Sequence, residues 1–480
     1  MGGLVGQADQ STIKNCYVDG SVTGDRFVGG LVGDIKTYTI ISNSYAICTV
    51  SGNEDIGGLI GTNYGTIQTS YSGGIVYDTK NQVGGFVGCN YDCILDCYAT
   101  GVVTGKGNHI GGFAGANKEG NINYCYATGI ITVTGSNSHG IGGLAGRYFG
   151  STTCCHATGD IAVIGKASSI GGLIGYFSSS NGSITSSYAA GNIFTGTDNF
   201  DIGGLIGQDA YSNDNISNCY ATGNIVAGTA NYNVGGLAGH NYGIITYCYA
   251  TGDISTTGGT DIGGLVGVNP GTIRNCVAAN PSVSGSGSIN RIVGSNGGVL
   301  SNNYADKNMT VNGTTVIGGT HNNANGEDKP MNTLMSFNFY NTGSNWYNSI
   351  IWDIDIVQNS TKTWGTCEGK TLPLLQCQGF SCSKNIPYEE NHERGYPTAQ
   401  NGKSTFSIFP NPTLSNITIS SEKHFYAIKI VDLLGKVVYS QPNNGNNITL
   451  NVSGYSNGMY FVRIITENGT EMQKIYKKLT

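Results

Sequence analysis

Apolar and glycine positions recur along the first 282 residues with a period of about thirty. The pentad Gly-Gly-Leu/Phe-Val/Ile/Ala-Gly starts ten times, at spacings of 27 to 32 residues. These starts are Gly2, Gly29, Gly57, Gly84, Gly111, Gly142, Gly171, Gly203, Gly235 and Gly263. A block of the type Asn-Cys-Tyr-Ala-Thr-Gly lies between pentads, and decayed copies begin at Asn275 and Asn302. Such a period predicts an array of one repeated structural unit.

Each unit contains three short extended runs separated by turn residues, and none of the runs has helical periodicity. A strand of four to six residues cannot bury its apolar face alone. Stacking a like strand about 4.8 Å away on each side pairs its backbone and closes an interior. We therefore predict an all-β chain with a parallel β-solenoid (β-helix) of about ten 27–32-residue repeats over residues 1–329.

Alternation within the Cys-Tyr-Ala-Thr block predicts Cys and Ala on the inner side and Tyr and Thr on the outer side. The outward tyrosines would form a ladder, with His156 in one rung. Its tyrosines are Tyr17, Tyr45, Tyr71, Tyr98, Tyr126, Tyr188, Tyr220 and Tyr249. Two interpretations stand. The rings could bind sugar rings or the apolar surface of a partner protein, or they could form a structural stack that stiffens the solenoid.

Fourteen cysteines raise the question of disulfides or metal. Seven share one repeat position, where serine replaces them in other repeats, which favours a small buried filler. They are Cys16, Cys97, Cys125, Cys155, Cys219, Cys248 and Cys276. Stacked neighbours would also lie near bonding distance and could oxidise outside the cell. The cysteines lack the Cys-x2-Cys spacing that is typical of zinc sites, so we expect no metal. Cys367, Cys377 and Cys382 are expected to include one bridge, and the pairing stays open.

Composition excludes several classes of protein. Glycine makes up 76 of 480 residues, charged residues only 11%, and the net charge is −6. So small a negative charge does not attract nucleic acid. The sequence contains no run of 18 apolar residues, so we predict no transmembrane segment. It also contains neither a phosphate-loop motif nor a His-Glu-x-x-His motif, so we predict no cofactor and no zinc-peptidase activity.

Catalysis has one weak candidate. Asp201, Asn233 and Asp261 share the position before Ile/Val-Gly-Gly. The two aspartates would stand two coils apart, roughly 9.6 Å, at the outer limit for an inverting acid–base pair. Asp and Asn also suit turns. We therefore predict no catalytic residue and no enzymatic activity.

Three further segments follow the repeats. All three tryptophans fall in residues 330–382, which we assign to a cap over the open end of the solenoid, with an aromatic ligand site as the alternative. Residues 383–404 are rich in charge and proline and read as a linker. Residues 405–480 contain six or seven alternating runs, which predict a small Ig-like β-sandwich.

The repeat resembles the GLUG motif over about residues 2–282. That resemblance implies extracellular, often bacterial, surface proteins, including adhesin-like proteins and the non-catalytic parts of some immunoglobulin A peptidases. It implies no activity of its own.

The C-terminal residues resemble the sorting domain of the type IX secretion system of Bacteroidota. The likeness rests on Phe409-Pro-Asn-Pro, Asp432-Leu-Leu-Gly-Lys, Gly458-Met-Tyr-Phe-Val-Arg-Ile and Lys474-Ile-Tyr-Lys-Lys. Its landmark residues are Pro410, Asn411, Pro412, Gly435, Gly458, Tyr460, Lys474 and Lys477. The resemblance implies that residues 405–480 engage the secretion machinery, and that the protein reaches the extracellular space or the outer-membrane cell surface.

These observations predict a secreted or cell-surface, adhesin-like stalk whose ligand is a glycan or a host or cell-surface protein. The alternative is a polysaccharide-active β-helix enzyme, or the stalk of a larger surface enzyme. Met1 runs directly into the first repeat without a basic or apolar leader. We therefore expect the chain to be the C-terminal part of a longer protein, whose catalytic domain in the alternative would lie upstream of Met1.

Overall fold

A computed structural model describes residues 1–379, 382, 406–409, 413, 415–431, 437–455, 458–466 and 469–477. The chain divides into two compact units, Met1–Glu389 and Glu390–Thr480. The first unit contains a parallel β-solenoid of eleven coils, so the predicted fold class is confirmed. The eleventh coil is a decayed repeat, in which Asn290-Arg291-Ile292-Val293-Gly294 takes the place of the pentad.

The first face of the solenoid starts at the second residue after each glycine pair. A Cβ added to Gly57 would lie 2.0 Å from the Ile60 carbonyl oxygen, and one on Gly58 would lie 1.9 Å from the Gly85 carbonyl oxygen. The first glycine of the pair thus allows a tight bend into the first face, and the second allows close packing against the next coil. The strands of this face are Val5–Ala8, Val32–Ile35, Ile60–Asn63, Val87–Asn90, Ala114–Asn117, Ala145–Tyr148, Ile174–Phe177, Ile206–Asp209, Ala238–Asn241, Val266–Asn269 and Val293–Asn296.

The second face is narrow and carries one inward isoleucine, threonine or leucine in each coil. Its strands form two parallel sheets. The first sheet consists of Thr12–Lys14, Ile40–Ser42, Thr66–Gln68, Ile94–Leu95 and Ile122–Asn123. The second consists of Thr152–Thr153, Ser183–Thr185, Asn215–Ser217, Ile244–Thr246, Thr272–Arg274 and Val299–Ser301.

The third face is the longest and begins at the tyrosine ladder. Coils one to three cross it with the long strands Tyr17–Thr23, Tyr45–Gly57 and Tyr71–Gly84, and coil one adds Arg26–Gly29. Later coils break it into three short strands. The ladder strands are Tyr98–Ala99, Tyr126–Ala127, His156–Ala157, Tyr188–Ala189, Tyr220–Ala221, Tyr249–Ala250, Val277–Ala278 and Tyr304–Asp306. The middle strands are Val102–Gly105, Ile131–Val133, Ile161–Val163, Ile193–Thr195, Ile225–Ala227, Ile254–Thr256, Ser282–Ser284 and Thr310–Val311. The last strands are Asn108–Gly111, Ser138–Gly142, Ala167–Gly171, Phe200–Gly203, Tyr232–Gly235, Thr260–Gly263 and Ile289–Asn290.

Residues 311–329 lie against the last coil. Thr314–Thr315 pairs antiparallel with Thr310–Val311, and Glu327–Lys329 pairs parallel with Tyr304–Asp306. The backbone N–H of Ile292 donates to the Ala324 carbonyl oxygen at 2.9 Å. These residues therefore pair the outer edge of coil eleven, which would otherwise be left open.

The segment 330–382 is called the flank segment here, and its described residues, 330–379 and 382, lie along the side of the solenoid against coils six to eleven. They contain the short helices Met331–Leu334 and Phe337–Tyr340 and the 3₁₀ turns Gly343–Asn345, Tyr347–Ser349 and Gln376–Gln378. Their strands are Ile354–Asp355, Trp364–Gly365 and Leu374–Leu375. This placement differs from the predicted end cap. The tryptophans are apolar side chains that are buried where they pack against Tyr188, Tyr220 and Tyr249 of the ladder, and residues 311–329 already pair the edge of the last coil.

The C-terminal unit forms one antiparallel sheet of five strands among the residues described. They are Phe406–Phe409, Asn416–Val431, Val437–Asn451, Gly458–Thr466 and Gly469–Lys477. The count is lower than the six or seven strands predicted. Runs that read as separate strands in the sequence join into two long strands with shifts of register near Phe425. Among the residues described in this unit, a single sheet takes the place of the predicted sandwich.

Candidate functional site: the tyrosine ladder

The tyrosines of the ladder are set by a sharp corner immediately before them. One residue in each coil, two positions before the ladder residue, has a left-handed backbone with φ between 48° and 57°. These residues, called the corner column here, are Asn15, Asn43, Thr69, Asp96, Tyr124, Cys154, Ser186, Asn218, Tyr247, Asn275 and Asn302. Asn and Asp adopt this conformation more easily than other non-glycine residues. The corner turns the next residue, Cys or Ser, inward and the tyrosine outward.

The stacked geometry of the ladder follows from the register of the coils. Tyr45 pairs with Tyr71 and Tyr71 pairs with Tyr98 in the parallel sheet. Ring centroids from Tyr17 to Tyr249, including His156, lie 4.6 to 5.3 Å apart, with interplanar angles of 12° or less. Each aromatic contact of this kind adds about 0.5–1.5 kcal/mol beyond the burial of apolar area.

Solvent exposure divides the ladder into two parts. Tyr17 is 65% exposed, and Tyr45, Tyr71, Tyr98 and Tyr126 are partly exposed; these five are called the exposed rungs here. Tyr188, Tyr220 and Tyr249, the covered rungs, are at most 2% exposed. His156 lies between the two groups and is also buried.

The flank segment covers the second part. Phe339, Tyr340, Trp346, Trp352 and Trp364 pack with the covered rungs and Tyr304 in one apolar cluster. Two tyrosine hydroxyls are used as well. Tyr220 Oη donates to Gln378 Oε1 at 2.9 Å, and Tyr249 Oη donates to the Pro373 carbonyl oxygen at 2.8 Å. Since the three tryptophans are at most 2% exposed, they do not form the aromatic ligand site considered as an alternative.

The corner column supplies the polar attachments of the flank segment. Trp364 Nε1 donates to Asn218 Oδ1 at 2.9 Å, and the Tyr347 backbone N–H donates to Asn275 Oδ1 at 2.8 Å. Asn302 Nδ2 donates to the Asn345 carbonyl oxygen at 3.1 Å. The flank segment therefore contacts coil eleven first, then coil ten and then coil eight, and these contacts hold it over the ladder.

Two disulfides involve the flank segment, where the sequence predicted one. Cys367–Cys382 joins two parts of the segment, and Cys154–Cys377 joins it to coil six. Sequence reasoning missed Cys154. The signal was present, because Cys154 is the single cysteine in the corner column, whereas the inward cysteine of that coil is Cys155.

The inward cysteines are fillers. Cys16 is partly exposed, and the other six are buried, with free thiols throughout. Cys97 Sγ donates to the Leu95 carbonyl oxygen at 3.1 Å, and the Cys97 N–H donates to Cys125 Sγ at 3.4 Å. Burial raises the pKa of Cys155 to about 11, which leaves the thiol protonated and unreactive at neutral pH. The predicted filler role fits this structure, and the neighbouring thiols are not oxidised in it.

Two phenols of the ladder, those of Tyr71 and Tyr98, have raised pKa values. Burial, with Tyr71 beside it, raises the pKa of Tyr98 to about 12. Burial and the neighbouring Tyr45 also raise the pKa of Tyr71. Because neighbouring rings are stacked face to face, the exposed rungs present ring edges and hydroxyl groups to the outside.

The candidate carboxylates occupy a second left-handed column. Asp201, Asn233 and Asp261 have φ of 56°, 57° and 56°. Asp201 is buried and accepts from Asn233 Nδ2 at 2.7 Å, with His240 Nδ1 at 3.5 Å. Asn233 stands between the two aspartates in the order of the coils. Both aspartates therefore lie at backbone corners, where the predicted turn role places them.

The landmark residues of the C-terminal unit are only partly described. Pro410, Asn411, Pro412 and Gly435 lie outside the described residues. Gly458 begins a strand that pairs with Gly469–Lys477, and Gly458 stands opposite Lys477. Tyr460 and Lys477 are buried, and Tyr460 pairs with Ile475 beside Lys474. The last two strands thus bring Gly458, Tyr460, Lys474 and Lys477 together.

Comparison with family models identifies both parts of the chain. Residues 407–478 match the secretion system C-terminal sorting domain. Residues 1–23, 198–226 and 230–255 match the GLUG motif. No curated protein and no solved structure matched the chain. The chain is a β-helix repeat protein with GLUG motifs and a type IX sorting domain, which implies secretion to the cell surface or the extracellular space.

In the described part of the chain, no helix is both long enough and apolar enough to span a membrane.

Proposed function

We propose that the protein is an adhesin-like, non-catalytic surface stalk that binds its ligand through the exposed rungs. One observation carries the proposal. Five stacked tyrosines remain partly exposed along coils one to five, while the rungs of coils seven to nine are covered by the chain itself. A stack needed only for stiffness would gain from being covered along its whole length, since burial of aromatic area stabilises it.

The ligand suggested by this surface is a glycan, with a host or cell-surface protein as the other class. Rings spaced 4.6 to 5.3 Å apart present a continuous row of edges and hydroxyl groups. Such a row favours an extended ligand that contacts several rungs at once, because each contact alone is weak. Residues 405–480 supply export and take no part in ligand binding under this proposal.

The test is a glycan array probed with the full chain and with two triple variants. The ladder variant carries Tyr45→Ala, Tyr71→Ala and Tyr98→Ala. The matched control carries Tyr38→Ala, Tyr211→Ala and Tyr232→Ala, which removes exposed tyrosines off the ladder. We expect the control to bind as the wild type does and the ladder variant to lose at least about tenfold in affinity, a loss of about 1.4 kcal/mol. Equal binding by all three proteins would remove the ladder from the account.

A separate assay addresses the absence of catalysis. The wild type is incubated with the polysaccharides to which it binds, beside Asp201→Asn and Asp261→Asn variants. We expect no release of reducing ends by any of the three. Cleavage by the wild type that either substitution abolishes would instead favour the polysaccharide-active enzyme.

A further inference from the structure

A ladder of buried asparagines runs along the inner corner at the end of the first face. Asn63 Nδ2 donates to Asn90 Oδ1 at 2.6 Å, and Asn90 Nδ2 donates to Asn117 Oδ1 at 2.7 Å. The ladder resumes where Asn241 Nδ2 donates to Asn269 Oδ1 at 2.7 Å. In each of these bonds the amide oxygen accepts from the coil before it.

Asp209 occupies the ladder position in coil eight, directly before Asn241. The two residues are partners in the parallel register, and both are fully buried. A carboxylate has no N–H group to donate to the next rung. Accordingly, Asp209 Oδ1 and Asn241 Oδ1 are both buried without a hydrogen-bond partner. Two acceptor oxygens on adjacent coils therefore stand where each asparagine–asparagine step of the ladder has a donor and an acceptor.

A second buried carboxylate reaches the same corner. Asp214, from the loop that follows Asp209, accepts from the Gly182 N–H at 2.9 Å and from the Ser179 N–H at 3.3 Å. Asp209 Oδ2 accepts from the Gly243 N–H at 2.9 Å. Burial and the neighbouring Asp214 raise the pKa of Asp209. Within the described residues, no Lys, Arg or His side chain forms an ion pair with either carboxylate.

We propose that Asp209, Asp214 and Asn241 hold a divalent cation with the chemistry of calcium. Carboxylate and amide oxygens are the ligands that calcium prefers, and its flexible coordination accepts water at the remaining positions. Among the described residues, no group of three or more His, Cys, Asp or Glu side chains is placed to hold a metal ion. The site therefore consists of two carboxylates and the unpartnered amide oxygen of Asn241. The cation would connect coil eight to coil nine at the step from Asp209 to Asn241, directly before the ladder resumes.

The experiment titrates CaCl₂ into the full chain and records the melting temperature in CaCl₂ and in a chelator. Asp209→Asn is the informative variant, because an amide at position 209 can donate to Asn241 Oδ1 and restore the ladder without a cation. Asp214→Asn removes the second carboxylate and keeps the side-chain size. Asp198→Asn, an exposed aspartate of a neighbouring turn, is the matched control.

We expect the wild type to bind one calcium ion that the Asp209→Asn protein does not bind, with a Kd of about 10⁻⁴–10⁻³ M. Calcium should raise the melting temperature of the wild type and of Asp198→Asn by roughly 2–4 °C. Asp209→Asn should melt at one temperature with and without calcium, at least as high as the calcium-free wild type. Asp214→Asn should bind calcium more weakly than the wild type.

Two results would overturn the site. One is an identical wild-type melting temperature in calcium and in chelator. The other is an Asp209→Asn protein with an undiminished calcium response. The wild-type melting temperature could also be unaffected by calcium but rise in acid, while that of Asp209→Asn does not rise. That result would show that a proton on Asp209, and not a cation, stabilises this corner.

Discussion

A tyrosine in the middle of the ladder is held by contacts on both faces of its ring. The Tyr98 ring lies 4.9 Å from Tyr71 and 5.0 Å from Tyr126, whereas Tyr17 has a single neighbour in the stack at 5.3 Å. The energetic value of a rung therefore depends on its position. The same residue type contributes little at the end of the stack and more inside it.

Replacing Tyr98 with Ala should lower the free energy of unfolding by about 1–3 kcal/mol, because two ring contacts and part of the buried ring area are lost. Tyr17→Ala is the control and should cost less than about 1 kcal/mol, since that ring is mostly exposed. Denaturant unfolding followed by circular dichroism measures both. Equal losses for the two variants would contradict the stacking account.

The buried carboxyl group of Asp55 makes the free energy of unfolding depend on pH. Burial raises its pKa from 3.8 to about 6, with Lys118 opposing the rise and Glu54 adding to it, and with smaller effects of opposite sign from Arg26 and Asp34. The folded state thus binds its proton more tightly than the unfolded chain does. The associated stability is fully present below about pH 4 and is lost as the pH rises through about 6.

Asp55→Asn should remove this fall, which amounts to about 1–3 kcal/mol in the wild type. An asparagine also suits the left-handed backbone at this position, where φ is 55°. Melting temperature measured from pH 4 to pH 7 is the readout. A variant whose stability falls as steeply as that of the wild type would show that another group is responsible.

At the scale of elements, the structure could be predicted from the sequence wherever the repeat itself sets the geometry. The pentads fix the register of each coil, and the register alone places Tyr45 beside Tyr71. The flank segment contains no repeat from which its position could be predicted. Its position depends on a tryptophan meeting Asn218 and on a disulfide between residues 223 apart, and neither pairing has a local pattern.

The asparagine ladder could be predicted from the sequence only in part. Asn-x-Gly follows the first-face strand at Asn63, Asn241, Asn269 and Asn296, so the sequence contains the signal. That signal reads as a surface turn, because asparagine and glycine are the common residues of turns. Only the coil geometry shows that the amides point inward and bond to one another.

The flank segment can be followed on its own, because it contains every tryptophan of the chain. We expect a Cys154→Ser/Cys377→Ser protein to expose Trp352 and Trp364 at lower denaturant concentration than the wild type, because the tie to coil six is lost. A disulfide of this kind contributes about 2–4 kcal/mol. Tryptophan emission and its quenching by acrylamide measure the change.

Cys16→Ser is the control for that experiment, since Cys16 is a free thiol far from the flank segment. Its tryptophan transition should coincide with that of the wild type. Coincident transitions in all three proteins would mean that the disulfide does not hold the segment on the ladder.

At the scale of the whole chain, export and the proposed ligand binding belong to separate units. The sorting domain matches residues 407–478, and the ladder lies entirely within Met1–Glu389. Each unit has its own apolar core. Changes in one unit are therefore expected to leave the fold of the other intact.

Deletion of residues 405–480 should stop export and leave the solenoid folded. Expressed behind a periplasmic signal peptide in a bacterium with a type IX system, the truncated protein should accumulate in the periplasm, because the address read at the outer membrane is gone. Cell fractionation with immunoblotting measures this. The triple ladder variant should still reach the surface, and export of the truncated chain would contradict the division of roles.

The most direct test of the divided ladder is hydroxyl-radical footprinting of the full chain, read residue by residue by mass spectrometry. We predict fast oxidation at Tyr17, Tyr45, Tyr71, Tyr98 and Tyr126 and protection at Tyr188, Tyr220 and Tyr249. Reduction of the Cys154–Cys377 disulfide should raise the rate at the second group alone. Uniform oxidation along all eight rungs of the untreated protein would contradict a ladder that is exposed over the first five coils and covered by its own chain beyond them.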